Sequence, residues 1–215
     1  MTSEVKFFVS VGVITLLILV GGVFLYSNKA SENVKPVEES ILVKEDSTKM
    51  VSASASATFV EFGDMQCPAC AVAHPTTKQI RENYAGKINF VFRHFPLLQH
   101  KNAQIGAKAI EAAGEQGKFW EMQDIMYDKQ DEWGEKDKPL DIFMGYAKEL
   151  NLDEAKFKSS VDSNKFKDKI DGDTYDGNQA GVDATPTFFI NGIKYTGSYS
   201  YDDVKKALDD AMRKK

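Results

Sequence analysis

The chain holds two cysteines, and they stand three apart in Cys67-Pro68-Ala69-Cys70. That pair sits between a strand pattern and a helix pattern, and this placement constrains the fold more than any other feature. Before it, Thr58-Phe59-Val60-Glu61-Phe62 is a β-branched and aromatic run closed by Gly63-Asp64, which reads as a strand. After it, residues 67–84 read as a helix with Ala71, Ala73, Ile80 and Tyr84 as apolar positions. Pro68 suits a first helical turn, where a missing N–H costs nothing. Pro75 stands inside the pattern and should kink it.

A cysteine that opens a helix meets the partial positive charge of the helix end, which stabilises a thiolate. The thiolate is the form that attacks a disulfide sulfur. Cys67 is therefore the candidate nucleophile, and Cys70, one turn in, is placed to resolve a mixed disulfide. Two other readings compete. A permanent staple over two intervening residues closes a tiny loop and removes little chain entropy. A metal site could use Cys67, Cys70 and His74, with His94 or His100 adding ligands, but the usual second C-x-x-C or H-x-x-x-H pair is missing. On its own, His74 reads as a helix-surface residue, and His94 as packed or hydrogen-bonded at a strand end.

The second strand is read over 88–95 and ends at Pro96. Helical patterns follow over 103–113, 118–127 and 139–150, then a short helix capped by Asp153, then another over 165–180. Nine acids fall between Glu111 and Asp137 against three lysines, which reads as a solvated face. Strands return as Thr187-Phe188-Phe189-Ile190 and Ile193-Lys194-Tyr195-Thr196. They flank Asn191-Gly192, a hairpin signal for a type I′ turn. Ser200 with Asp203 opens a last helix with Val204, Ala207, Leu208 and Ala211 on one face.

The 215 residues carry a formal net charge of −5. That balance argues against nucleic acid as a partner, since phosphate binding needs a basic face. Two cysteines are too few for a disulfide-rich scaffold or a four-cysteine zinc site. After a short N-terminal cap, 1–6, residues 7–26 carry no charge and are long enough to cross a bilayer as a helix. This apolar run exceeds a signal peptide's usual 7–15 residues, so an uncleaved anchor is expected over a cleaved leader. Charges flanking it give almost no vote on orientation. Residues 27–57, ending in an alternating Ser-Ala run, read as a flexible tether to a folded part over 58–215.

Phe59 through Cys70 resembles the opening of DsbA-like thiol-disulfide oxidoreductases. Gly181-Val182-Asp183-Ala184-Thr185-Pro186-Thr187-Phe188-Phe189-Ile190-Asn191-Gly192 resembles their other signature, and Arg93-His94-Phe95-Pro96-Leu97 fits the membrane-attached bacterial branch. The resemblance implies an α/β, thioredoxin-like fold. A helical domain, about 98–180, would be inserted between the second strand and the hairpin, behind one transmembrane helix. It makes Pro186 the family's cis-proline facing the cysteines, with Thr185 before it offering backbone to an extended substrate. Pro68 and Ala69 complete the substrate-facing surface. Glu61 matches an acidic residue buried beneath the pair, placed to relay protons as Cys70 changes charge. Read without the resemblance, Pro186 is an ordinary strand-entry proline and Glu61 a solvent-facing residue of an alternating strand.

The resemblance implies a membrane-tethered, extracytoplasmic enzyme that forms disulfides in exported proteins. No bound cofactor is required, because the electrons sit on two sulfurs. Recycling falls to a quinone-linked membrane thiol oxidase. The Pro-Ala dipeptide lacks the histidine of strongly oxidising relatives, so a reductase or isomerase is the first alternative. A metal-delivery protein and a non-catalytic scaffold are the others.

Overall fold

A computed structural model describes residues 12, 14–22 and 35–214. The chain divides into two units, Met1–Lys35 and Pro36–Lys215. Half of the anchor expected over 7–26 falls outside the described residues. The described stretch 14–22 is helical, and among the described residues no helix is long and apolar enough to cross a membrane.

The second unit is a thioredoxin-like α/β fold around a five-stranded mixed sheet. Its strands are β1 (Thr48–Met50), β2 (Ala57–Gly63), β3 (Ile88–His94), β4 (Thr187–Ile190) and β5 (Ile193–Lys194), in the order β1-β3-β2-β4-β5. β2 and β3 run parallel, with Phe59 opposite Phe90 and Gly63 opposite His94. The other pairings are antiparallel. Helix α1 (Glu39–Leu42) precedes β1, and α2 (Pro68–Asn83) crosses from β2 to β3. Between β3 and β4 lie α3 (Ala103–Gly114), α4 (Phe119–Asp128), α5 (Gln130–Trp133), α6 (Pro139–Glu149), α7 (Glu154–Asp162) and α8 (Lys167–Gln179). α9 (Tyr201–Arg213) closes the chain.

β2 and its neighbours are apolar on both faces, as a sheet covered twice requires. Ala57 and Phe59 join Phe90, Phe188 and Ile190 on the face that packs on Ala73 and Ile80 of α2 and Val204 and Leu208 of α9. Val60, Phe62, Val91 and Phe189 face the other way, toward Leu42 of α1 and Ala180 and Val182 beyond α8. Each fully buried phenylalanine contributes roughly 1.5–3 kcal/mol by leaving water. A third cluster fills the helical insertion around Trp133, Phe143, Phe157 and Ile170, and reaches Met65, Cys67 and Cys70 at its edge.

Local signals are realised where the chain supplies its own partners. Asp153 accepts the Lys156 N–H at 2.9 Å and caps α7. Ser200 accepts from the Asp203 N–H and caps α9. Asn191 and Gly192 hold φ of 48° and 82°, the left-handed pair that a type I′ hairpin requires. Pro75 lies within α2 without ending it.

Of the tether expected over 27–57, residues 27–34 lie outside the described residues, and from Pro36 onward the chain is folded. β1 pairs with β3, and Leu42 is buried. The physical reason is Arg93, a fully buried guanidinium on β3. It donates to the carbonyls of Ile41 and Leu42 at 3.0 and 2.9 Å, and to Asp173 and Asp176 of α8 at 2.5 and 2.6 Å. A buried cation needs every donor met, and the segment before β1 supplies two of the acceptors.

The acidic run is likewise not all solvated face. Glu111 is buried against His94 and Lys169, each at 2.8 Å. Asp124 is held by Arg81 at 2.7 Å and Lys78 at 3.0 Å.

Candidate active site

Cys67 is the N-cap of α2, with Pro68 in the first turn. Its backbone N–H donates to the Asp64 carbonyl at 3.1 Å, and its carbonyl accepts from Ala71 N–H at 3.2 Å. The loop leading to it is clamped from several directions. The buried Asp64 carboxylate accepts from the Gln66 N–H (2.8 Å) and the Leu97 N–H (2.9 Å), and lies 2.6 Å from His100 Nδ1. Gln66 is buried too. It donates to the Gly134 carbonyl at 2.6 Å and accepts from the Asn102 N–H at 2.5 Å. Gln130 of α5 donates to the carbonyls of Met65 (2.8 Å) and Cys67 (3.1 Å).

Across 118 residues of sequence, the Cys67 thiol donates to the Thr185 carbonyl at 3.2 Å. The Thr185–Pro186 bond is cis, as the resemblance implied. Tyr199 donates to the Pro186 carbonyl at 2.9 Å. Pro68 and Ala69 are exposed at the same helix end, whereas Thr185 and Pro186 are buried. The structure therefore gathers Cys67, Cys70, Thr185 and Pro186, with Pro68 and Ala69 at the surface beside them.

The two thiols, both reduced and both buried, differ in acidity. Cys67 is lowered from 9.0 to about 5. The largest cause is the hydrogen bond from Cys70. Burial opposes it, and the Thr185 hydroxyl and the N–H groups of Cys70 and Ala69 add to it. Cys70 is pushed well above 9.0, first by burial, then by its donation to Cys67, the Cys67 charge and Glu61. One thiol thus reacts as a nucleophile at neutral pH while the other keeps its proton.

Glu61 is buried, not solvent-facing, and its Oε1 has no hydrogen-bond partner. Burial raises its pKa from 4.5 to about 7, against the lowering influence of the Arg81 charge and the Thr77 hydroxyl. A carboxyl so placed is half-protonated near neutrality and close enough to feel Cys70. It can give or take the proton that Cys70 needs.

His74 is the clearest correction. It is 1% exposed, not a helix-surface residue, with its ring 4.8 Å from the Tyr127 ring and Nε2 3.1 Å from Asp124 Oδ1. The histidines considered as metal ligands all face carboxylates: His74 meets Asp124, His94 meets Glu111, and His100 meets Asp64. Among the described residues no group of three or more His, Cys, Asp or Glu is arranged to hold a metal ion. Asp64, Gln66, Gln130 and Tyr127 went unnoticed in the sequence. For His74 a signal existed, since it lies four residues after Cys70 and hence on the same helix face.

A family model described as thioredoxin matches residues 46–210. The curated relatives include a Na+/H+ antiporter NhaA 1 of Salinispora arenicola, 37% identical over 159 residues that make up 74% of this chain and 24% of the relative. The Na+/H+ antiporter NhaA of Herminiimonas arsenicoxydans is 33% identical over 159 residues, again 74% and 24%. The chain spans about a quarter of the length of these relatives. Among solved structures, BdbD from Bacillus subtilis aligns with a TM-score of 0.68 at 22% identity, covering 78% of this chain and 93% of that one. Alpha-DsbA1 of Wolbachia pipientis aligns with a TM-score of 0.71 at 23% identity, covering 80% and 94%. At these identities the structures establish a shared fold.

Proposed function

The chain belongs to the thioredoxin family, and from its unequal cysteines we propose that it is a thiol-disulfide oxidoreductase that forms disulfides in exported proteins. The observation that carries this reading is Cys67 at the N-cap of α2, 3.2 Å from the Thr185 carbonyl, with Cys70 fully buried one turn in, a placement that lowers the first thiol and raises the second. Stabilising the Cys67 thiolate stabilises the reduced enzyme, and a stabilised reduced form makes the disulfide a stronger oxidant. In each cycle a substrate thiolate attacks Cys67 in the Cys67–Cys70 disulfide. The S–S bond breaks, a mixed disulfide forms at Cys67, and Cys70 leaves as a thiolate that takes a proton. A second substrate thiolate then attacks the substrate sulfur and releases Cys67 as a thiolate. The Thr185–Pro186 backbone next to Cys67 is placed to align an extended substrate strand.

The apolar run over 7–26 and the polar stretch behind it support attachment to a membrane with the thioredoxin unit outside the cytoplasm, where disulfides persist. A membrane thiol oxidase linked to quinones would restore the disulfide. The test is the reduction potential of the Cys67–Cys70 pair, together with oxidation of a reduced test protein by the purified disulfide form. A potential nearer about −120 mV than about −270 mV is expected. A potential at the reducing end, with no net disulfide formation, would assign the chain to reduction instead. Labelling by a membrane-impermeant thiol reagent on intact cells is expected at Cys67 after reduction, and its absence would place the unit inside.

A further inference from the structure

Cys70, His74, Thr77 and Arg81 stand at i, i+4, i+7 and i+11 on the buried face of α2. Glu61 comes up against this lane from β2, next to the Thr77 hydroxyl and the Arg81 charge. Tyr127 closes it from α4, its ring 4.8 Å from the His74 ring and tilted 38° to it, within the field of Cys70 and Glu61. The lane is enclosed, and two of its atoms have no hydrogen-bond partner, Glu61 Oε1 and His74 Nδ1, while His74 Nε2 faces Asp124. Buried polar atoms normally find partners. Open atoms in one buried compartment call for an explanation, and passage of a proton between them is one.

One end of the lane reaches solvent. Asp124 Oδ1, 3.1 Å from His74 Nε2, belongs to a carboxylate that is 17% exposed and also touches Lys78 and Arg81. Cys70 and Glu61 are sealed at the other end. Each turn of thiol-disulfide exchange delivers or removes one proton at Cys70, so the sealed end needs a route to water. We propose that His74 is that route, a positioning and proton-conducting residue joining the Glu61–Cys70 compartment to the solvent-facing carboxylate of Asp124.

This rests on the exchange reaction above and deepens it. When a substrate thiolate opens the Cys67–Cys70 disulfide, Cys70 leaves with the electron pair and takes its proton from the Glu61 carboxyl. Glu61, now a carboxylate, is reprotonated through the imidazole of His74. The imidazolium formed in passing is steadied by Asp124 and refilled by water at that rim. The charged and titratable groups of this compartment and its rim are Cys70, Lys78 and Arg81 on the ring's own helix, Glu61 on β2, and Asp124 and Tyr127 on α4, with Asp128 acting on Lys78.

The experiment is single-turnover reaction of the full chain's disulfide form with a reduced dithiol peptide, followed from pH 5 to 8. His74→Phe keeps a ring against Tyr127 but has no nitrogen to carry a proton. It is expected to slow exchange about tenfold or more, within the range of positioned proton transfer. The reduction potential and the Cys67 thiolate titration should stay at their wild-type positions, because a conductor changes rates and not equilibria. His74→Ala should be slowed likewise and partly restored by added imidazole, and Asp124→Asn on the rim should reproduce the slowing. Wild-type rates in His74→Phe across the pH range, or a slowing matched by an equal displacement of the potential, would overturn the proposal. Absence of exchange in the wild-type chain would instead overturn the oxidoreductase reading itself.

Discussion

The side-chain amide of Gln130 donates to the carbonyl of Cys67 at 3.1 Å, so the helical insertion holds the nucleophile's own backbone. The same amide group also holds Met65 at 2.8 Å. Gln130→Ala removes both bonds and leaves those carbonyls to compete for water. A loss of about 1–3 kcal/mol is expected from urea unfolding, with faster hydrogen exchange at the start of α2. Unchanged stability and unchanged exchange would mean that the loop is held by Asp64 and Gln66 alone.

The inequality of the two thiols gives a covalent test. Cys67→Ser should abolish capture of a substrate. Cys70→Ser should still be attacked or attack at Cys67 and accumulate a mixed disulfide that added thiol cleaves, visible on a non-reducing gel. The acidity also predicts a stability profile. The folded value of Cys67 is about 5 against 9.0 in the open chain. The thiolate's contribution is therefore full above pH 9 and lost as pH falls through 5. The midpoint of the reduced protein should fall relative to the disulfide form on acidification across that window, by at most about 1.4 kcal/mol per pH unit. A difference that is flat between pH 5 and 8 would contradict the assignment.

Glu61 predicts the opposite slope. Its folded value, about 7, lies above the ordinary 4.5, so the folded state binds the extra proton between those limits. Stability is therefore unaffected below pH 4.5 and reduced above pH 7. Glu61→Gln, in the disulfide form, should match the parent near pH 4 and exceed it near pH 8 by on the order of 1–3 kcal/mol, while reacting more slowly with dithiols. Thermal melts at the two pH values decide it.

Arg93 predicts where the folded unit begins. Arg93→Met takes the guanidinium from Asp173 and Asp176 and leaves them only the longer ion pairs with Lys169 (3.6 Å) and Lys44 (3.4 Å), which should cost about 3–5 kcal/mol. It should also free the segment before β1 for proteolysis. A fragment over 36–215 should retain the stability of the whole, and one over 58–215 should be weaker, because it lacks Leu42 and the β1 pairing with β3. Equal melting of the two fragments would remove the case for the clasp.

How far the sequence disclosed this molecule follows from the range of the interactions involved. The strand before Cys67, the helix after it, the Asn191-Gly192 turn and the caps at Asp153 and Ser200 are short-range, and their partners lie within a few residues. The pairing of Cys67 with Thr185 spans 118 residues and was legible only because two motifs resemble a family. Residues 36–57 looked like linker because their composition is polar. Their order depends on a guanidinium some fifty residues away, which no local pattern reveals. The amides of Gln66 and Gln130 act on main-chain carbonyls, a use that leaves no mark in residue spacing.

The clasp also fixes where the unit can be gripped. Val37 donates to the Gly192 carbonyl at 2.8 Å, and Asn191 accepts from the Thr58 N–H, so the chain joins the unit at the end of the sheet where β2 begins. Cys67 follows the end where β2 finishes, at Gly63, six residues beyond Ala57, which is about 20 Å at the rise of a strand. The join is a handle at the pole away from the reaction. Within the folded unit, the first residues of the clasp and Cys67 thus stand at opposite ends of β2.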